Sequence, residues 1–123
     1  MTKILNFSFG QLTIYGNYVV SVMKEGITVT PNYNDELVKV TDTYFSHKPF
    51  VYITHRINSY AVDPKIYLET SKIENLKGFA VVSEDYKKKV NAQIEKLFYN
   101  KPFETFATLE EAFNWADQLI ENH

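Results

Sequence analysis

Cysteine is absent from the 123 residues, which excludes disulfides, thiolate metal sites and a cysteine nucleophile. Arginine occurs once, as Arg56, in a chain with twelve lysines. Glycine and proline are scarce, four of each, and fall singly between patterned segments rather than in a linker. With no repeat or low-complexity tract, residues 1–123 read as one domain. No apolar run approaches ~18 residues, so no membrane span is expected. The opening Met1–Gly10 is too short and too interrupted for a signal peptide, and the expectation is a soluble cytoplasmic domain. The net charge of −2 offers no cationic surface for nucleic acid.

What the chain does have is rings: nine Tyr, nine Phe and one Trp, 15% of its residues. Apolar content of 45% with 23% charge places it among ordinary globular domains. Tyr15-Gly16-Asn17-Tyr18 sets a Gly-Asn pair between β-branched runs, the pattern of a two-residue hairpin turn. The incoming strand is expected from about Ile4, with a bend or bulge at Gly10. Four helices follow. Thr30-Pro31 caps a first helix whose inner face is Tyr33, Leu37, Val40 and Tyr44. Asp63-Pro64 repeats the arrangement before Ile66, Tyr67 and Ile73. Ser83 opens the third, with Tyr86, Val90, Ile94, Leu97 and Phe98 inward and Lys87, Lys88 and Lys89 outward. Thr108 with Glu111 forms a capping box before the stripe Leu109, Ala112, Phe113, Ala116, Leu119 and Ile120. Apolar runs at Phe50–Thr54, Phe79–Val82 and Glu104–Ala107 alternate with these helices, as buried parallel strands do. The expected fold is α/β: a mixed sheet of about five strands, an antiparallel hairpin plus three parallel strands, with four helices.

No Gly-rich phosphate loop, Gly-x-Ser-x-Gly elbow or His-Glu-x-x-His motif occurs. His47, His55 and His123 are too scattered for a metal site, and no cofactor is expected. The dense polar segment is Thr54-His55-Arg56-Ile57-Asn58-Ser59-Tyr60, which leaves the carboxyl end of a strand, where α/β sheets gather ligands. The planar guanidinium of Arg56 suits bidentate recognition of an anion. The ordinary reading ranks first: Asn58 and Ser59 satisfy loop backbone, Arg56 pairs with a nearby surface carboxylate, and Tyr60 folds onto the core edge. An interaction or ligand surface ranks second. Catalysis by Ser59 with His55 ranks last, because no third orienting group or oxyanion hole accompanies them. The basic run Lys87–Lys89 with Lys96 is diluted by Glu84, Asp85 and Glu95, and reads as a solvated face. Residues 104–123 carry five acids and no Lys or Arg.

Gly78–Val82, the helix after it, Asn100-Lys101-Pro102-Phe103, Phe106 and Leu109-Glu110-Glu111-Ala112-Phe113-Asn114-Trp115 form an ordered series. This series resembles the C-terminal half of the small bacterial SpoIIAA-like proteins, which belong with the STAS domains and are compared in fold with CRAL-TRIO lipid-transfer domains. The resemblance implies a non-enzymatic regulatory or scaffolding domain that contacts a partner protein or holds a small apolar or anionic ligand. In STAS regulators an Asp-Ser-Ser-Gly-like motif carries a phosphorylated serine. Here Val62-Asp63-Pro64-Lys65 keeps the aspartate but has proline and lysine in place of the serines, so that switch cannot operate there.

The contacts expected on this reading are Arg56, Asn58, Ser59 and Tyr60, with His55 and Tyr67 peripheral. Replacing Arg56 and Tyr60 by alanine would then abolish partner capture at nearly unchanged melting temperature. The alternatives are a CRAL-TRIO-type carrier of an apolar ligand, or a hydrolase using His55 and Ser59. A homodimer is compatible with leftover aromatic surface.

Overall fold

The N-terminal segment turns twice rather than once. A computed structural model describes residues 2–121 and places β1 (Thr2–Phe7), β2 (Gly10–Tyr15) and β3 (Tyr18–Met23) in an antiparallel meander. The second turn is the expected Gly16-Asn17 pair, with Gly16 at φ 49°. The first, at Ser8-Phe9, takes the place of the expected bend. Gly10 directly after it has φ 150°, and a Cβ there would lie 2.3 Å from the Val22 carbonyl oxygen on β3. Glycine is required because the neighbouring backbone passes too close for any side chain.

Beyond the meander the sheet grows by parallel addition. Its order is β1-β2-β3-β5-β7-β8, with β5 at Phe50–His55, β7 at Leu76–Val82 and β8 at Phe103–Phe106. β3, β5, β7 and β8 are mutually parallel. The α/β class therefore holds, with six strands in the main sheet. A second, two-stranded sheet pairs β4 (Thr28–Val29) with β6 (Ala61–Val62) in parallel. Two-residue strands leave too little periodicity for sequence patterning to detect.

Strand alternation separates two cores. Phe50 and Tyr52 on β5, with Phe79 and Val81 on β7, face the larger cluster, against α1 (Tyr33–Tyr44), α2 (Ile66–Thr70) and Ala92 of α3 (Tyr86–Glu95). Val51, Ile53, Ala80 and Val82 face the other way, onto Ala112 and Ala116 of α4 (Leu109–Glu121). Most of the aromatic excess lies in the larger cluster. Tyr52, Phe79 and Phe103 stack across three strands at centroid spacings of 4.9 and 5.1 Å, with Tyr67 edge-on at 5.2 Å to Phe79. On the α4 side Trp115 packs on Phe106 and over Gly78, sealing the core edge.

Helix starts follow the expected chemistry at one of four places. Thr108 Oγ1 accepts from the Glu111 amide at 3.2 Å and Glu111 returns a bond to the Thr108 amide at 3.1 Å, so the capping box forms. Asp63 does not cap α2: its Oδ1 accepts from the Lys65 amide at 3.1 Å in the turn before the helix, whose N-cap is Lys65 without a side-chain bond. Thr30 does not cap through its side chain; its carbonyl accepts from the Tyr33 amide in a turn that precedes α1. Asp85, rather than Ser83, caps α3, accepting from the Lys87 amide at 2.8 Å, while Ser83 Oγ supports the Asp85 amide.

The largest correction concerns α3 and the 3-10 turn, Lys96–Phe98, that follows it. Val90, Ile94, Leu97 and Phe98, expected inside, are 43%, 56%, 82% and 38% exposed, whereas Ala92, Glu95 and Tyr99 are buried. Tyr86, Lys88 and Lys89 keep their helical backbone, but their side chains lie outside the described set. The helix sits with its less apolar stripe inward, and the reason lies in the site below.

Two outcomes follow from this packing. Gly10→Ala should lower unfolding free energy by about 2 kcal/mol or more in urea titration, since backbone on β3 must move to admit it. Burial raises the phenols of Tyr33, Tyr52, Tyr67 and Tyr99 above the usual value, and Tyr18 is pushed up to about 12 by burial first and its bond to Asp117 second. A phenol with a raised folded pKa stabilises fully below pH 10 and loses that contribution as pH climbs past it. Absorbance titration at 295 nm should therefore show these rings ionising above pH 10 and together with unfolding.

Candidate functional site

Strand parity divides the polar segment before any side chain is considered. His55 continues the Val51–Ile53 face towards α4, whereas Thr54 continues the Tyr52 face towards α2 and α3. His55 lines a shallow groove with Ser83, Glu84 and Thr108, and desolvation lowers its pKa against an opposing pull from Glu84. Among the described residues no hydrogen bond joins His55 to Ser59. The main-chain amide of Ser59 donates to Glu25 Oε2 at 2.6 Å, and its carbonyl accepts from Gly26 at 2.8 Å. Asn58 Nδ2 donates to the Met23 carbonyl at 2.8 Å. These two side-by-side residues tie the loop to the end of β3, Asn58 through its side chain and Ser59 through its main chain.

Arg56 goes inward. Its residue is 8% exposed, and its guanidinium meets the Glu95 carboxylate of α3 in a bidentate fork, Nη1 to Oε2 at 2.8 Å and Nη2 to Oε1. The Tyr67 hydroxyl of α2 donates to the same Oε1 and accepts from Arg56 Nη2 at 3.2 Å. The Tyr60 ring lies over the guanidinium carbon at 5.7 Å from its centroid, and its hydroxyl bonds Thr54 Oγ1 at 2.9 Å. Desolvation opposes the charge on Arg56, but the Glu95 hydrogen bonds and the surrounding phenols outweigh it and hold the guanidinium above its ordinary value. Tyr67, expected at the periphery, is 2% exposed and central.

Beneath this cluster is a cavity of about 20 Å³, lined by Tyr33, Tyr52, Tyr60, Ile66, Tyr67 and Phe79 among others. Tyr33 and Tyr52 hydroxyls meet across it at 2.5 Å. That volume holds about one water and no acyl chain. Above the cluster, between residues 58–62 and α3, an open groove of about 400 Å³ reaches Arg56 and Glu95 from solvent. The buried pair is thus the partition between an outer groove and an inner aromatic pocket.

The pair also sets the roll of α3. Ala92 and Glu95 share one stripe of α3, and Val90 and Ile94 lie away from it, as does Leu97 in the turn that follows. Val90 and Ile94 are already about half-covered, so rolling α3 to bury those three fully would gain about 3–5 kcal/mol in all. It would also withdraw Glu95 and strand a buried guanidinium, at about 3–5 kcal/mol. The terms are of the same size, and the observed register is the one that keeps the charge matched.

Sequence reading missed Glu95. An ion pair spanning 39 residues has no periodic signal. The available hint was the lone arginine, which requires a carboxylate if it is buried, but several acids would have served. Among the described residues no three His, Asp or Glu are placed to hold a metal, and His123 lies outside them. No helix among them is long and apolar enough to cross a membrane.

No family model and no curated protein matches this chain. Among solved structures it is similar to the 2.25 Å crystal structure of an uncharacterised DUF3478-family protein with a SpoIIAA-like fold from Shewanella loihica PV-4. The TM-score is 0.53 at 11% identity, covering 94% of this chain and 92% of that one. At this identity the likeness concerns the fold, and in fold the SpoIIAA-like resemblance is borne out.

The burial of Arg56 changes what its removal should do. Arg56→Ala and Glu95→Ala should each cost about 3–5 kcal/mol, because each leaves an uncompensated buried partner. The double substitution should cost clearly less than the sum. Urea unfolding of the four proteins measures this, and additive losses would contradict a coupled pair.

Proposed function

We propose that this chain is a non-enzymatic STAS-like docking domain that holds an acidic, amphipathic helix of a partner protein against α3. The observation that supports it is the outward apolar face of that helix, with Leu97 82% exposed and Ile94 56% exposed on neighbouring turns. Lys87 on that helix and Lys96 in the turn after it are exposed, Lys96 lying 3.6 Å from the Glu104 carboxylate. Glu95, which seemed to dilute this basic stretch, is turned inward and matched to Arg56. An apolar strip edged by lysines fits a segment with apolar anchors and carboxylates around them.

The chain's own surfaces do not supply such a segment. The described outer face of α4 is acidic, with Glu110, Glu111, Asp117 and Glu121 exposed, but it presents no apolar anchors, since those pack on the sheet. Two α3 faces brought together would match in apolarity and oppose lysine to lysine. A homodimer through α3 is therefore disfavoured, and a different protein is the occupant. The Pro64-Lys65 sequence leaves this contact without the serine switch of STAS regulators at that position.

The test is fluorescence anisotropy with a synthetic acidic amphipathic helix and a basic peptide of identical apolar spacing. The acidic peptide should bind and weaken with added salt, and Leu97→Asp should reduce binding at least about tenfold. The melting temperature should stay within a few degrees, because Leu97 contributes little to the core. Equal binding of both peptides, or binding indifferent to Leu97→Asp, would contradict the proposal.

A further inference from the structure

Glu95 occupies its partners as a ligand would. Two guanidinium nitrogens and one phenol converge on a single carboxylate, a ring covers the cation, and the carboxylate arrives from a different element. Arg56, Tyr60 and Tyr67 all come from residues 56–67, on β5's carboxyl side and α2. Among its described side chains, the helix that brings Glu95 inserts little else. Ala92 is buried beside it, Tyr99 follows the helix, and Val90, Ile94 and Leu97 point to solvent. The apolar surface that normally anchors an amphipathic helix is thus unused, and the carboxylate carries much of the attachment.

The surroundings add access and shape. The outer groove opens beside Arg56 and Glu95 and is lined by Tyr60, Lys87 and Asn91. The inner cavity continues past Tyr67 to Tyr52, Ile66 and Phe79. A molecule replacing Glu95 would find a fork for its carboxylate and flat, apolar walls for a small body. The space for that body is the volume Glu95 gives up joined to the cavity below.

We infer that Arg56, Tyr60 and Tyr67 form a binding site for a small organic carboxylate with an aromatic or apolar body, and that Glu95 fills this site as a tethered occupant until the ligand displaces it. The inference stands independently of the docking face, since it concerns the inner side of α3. Displacement frees α3 from the charged attachment that Glu95 makes to Arg56 and removes what holds Val90, Ile94 and Leu97 outward. Ligand affinity in the intact protein is reduced by the fraction of time Glu95 occupies the fork.

The probe is phenylacetate, with neutral phenylacetamide as control, measured by calorimetry on the full chain. Phenylacetate should bind Glu95→Ala at least about tenfold more tightly than it binds the unsubstituted protein, because the competing carboxylate is gone. Phenylacetamide should not show this gain, and Arg56→Lys added to Glu95→Ala should remove it. Glu95→Gln, which keeps the side-chain volume without the charge, replaces Glu95→Ala if the latter does not fold. In the unsubstituted protein, saturating phenylacetate should speed hydrogen exchange of α3 amides while leaving α4 amides unchanged. Equal affinity for the two proteins, an equal gain for phenylacetamide, or α3 exchange unaltered by phenylacetate would overturn the site. None of these outcomes bears on whether an acidic peptide binds the outer face.

Discussion

A guanidinium removed from water must be met by a carboxylate, and in this small domain the carboxylate comes from a helix 39 residues away. The arrangement of α3 depends on this requirement. Glu95 has to face the sheet, so the stripe of α3 that contains it faces the sheet as well. Helical geometry then carries Val90, Ile94 and Leu97 outward. Burying both charges costs several kcal/mol per ion before pairing. The fork, the Tyr67 hydroxyl and the Tyr60 ring together offset it.

The sheet supplies the rigid frame for that pair. β5 is central and buried on both faces, flanked by β3 and β7, and its alternation sends Thr54 to one side and His55 to the other. A polar run contiguous in sequence is therefore not one site. His55 belongs to the α4 side, Asn58 and Ser59 fasten the loop to the end of β3, and Arg56 with Tyr60 and Tyr67 build the interior cluster. Proximity along the chain joined residues that the pleat separates.

Those parts of the fold governed by local or periodic rules were legible in sequence. The Gly16-Asn17 turn, the Thr108 cap, the three parallel strands after the meander and the α4 stripe each follow from spacing or turn chemistry. β4 and β6 were not legible, being two residues each. The α3 face was misread for a different reason. Its strongest apolar stripe is genuine, but a single long-range ion pair overrode it. Arg56 was recognisable as unusual because it is the only arginine, whereas its partner was one acid among fifteen Asp and Glu.

The central claim is that the Arg56–Glu95 pair, rather than hydrophobic patterning, sets which side of α3 faces the sheet. Because the chain lacks cysteine, single cysteines placed on α3 and the turn after it report its register directly. Leu97→Cys should react with a maleimide near the rate of a free thiol, and Ala92→Cys at least about 100-fold more slowly. Fast labelling at 92 with protection at 97 would show the helix seated on its apolar stripe, and would contradict the account.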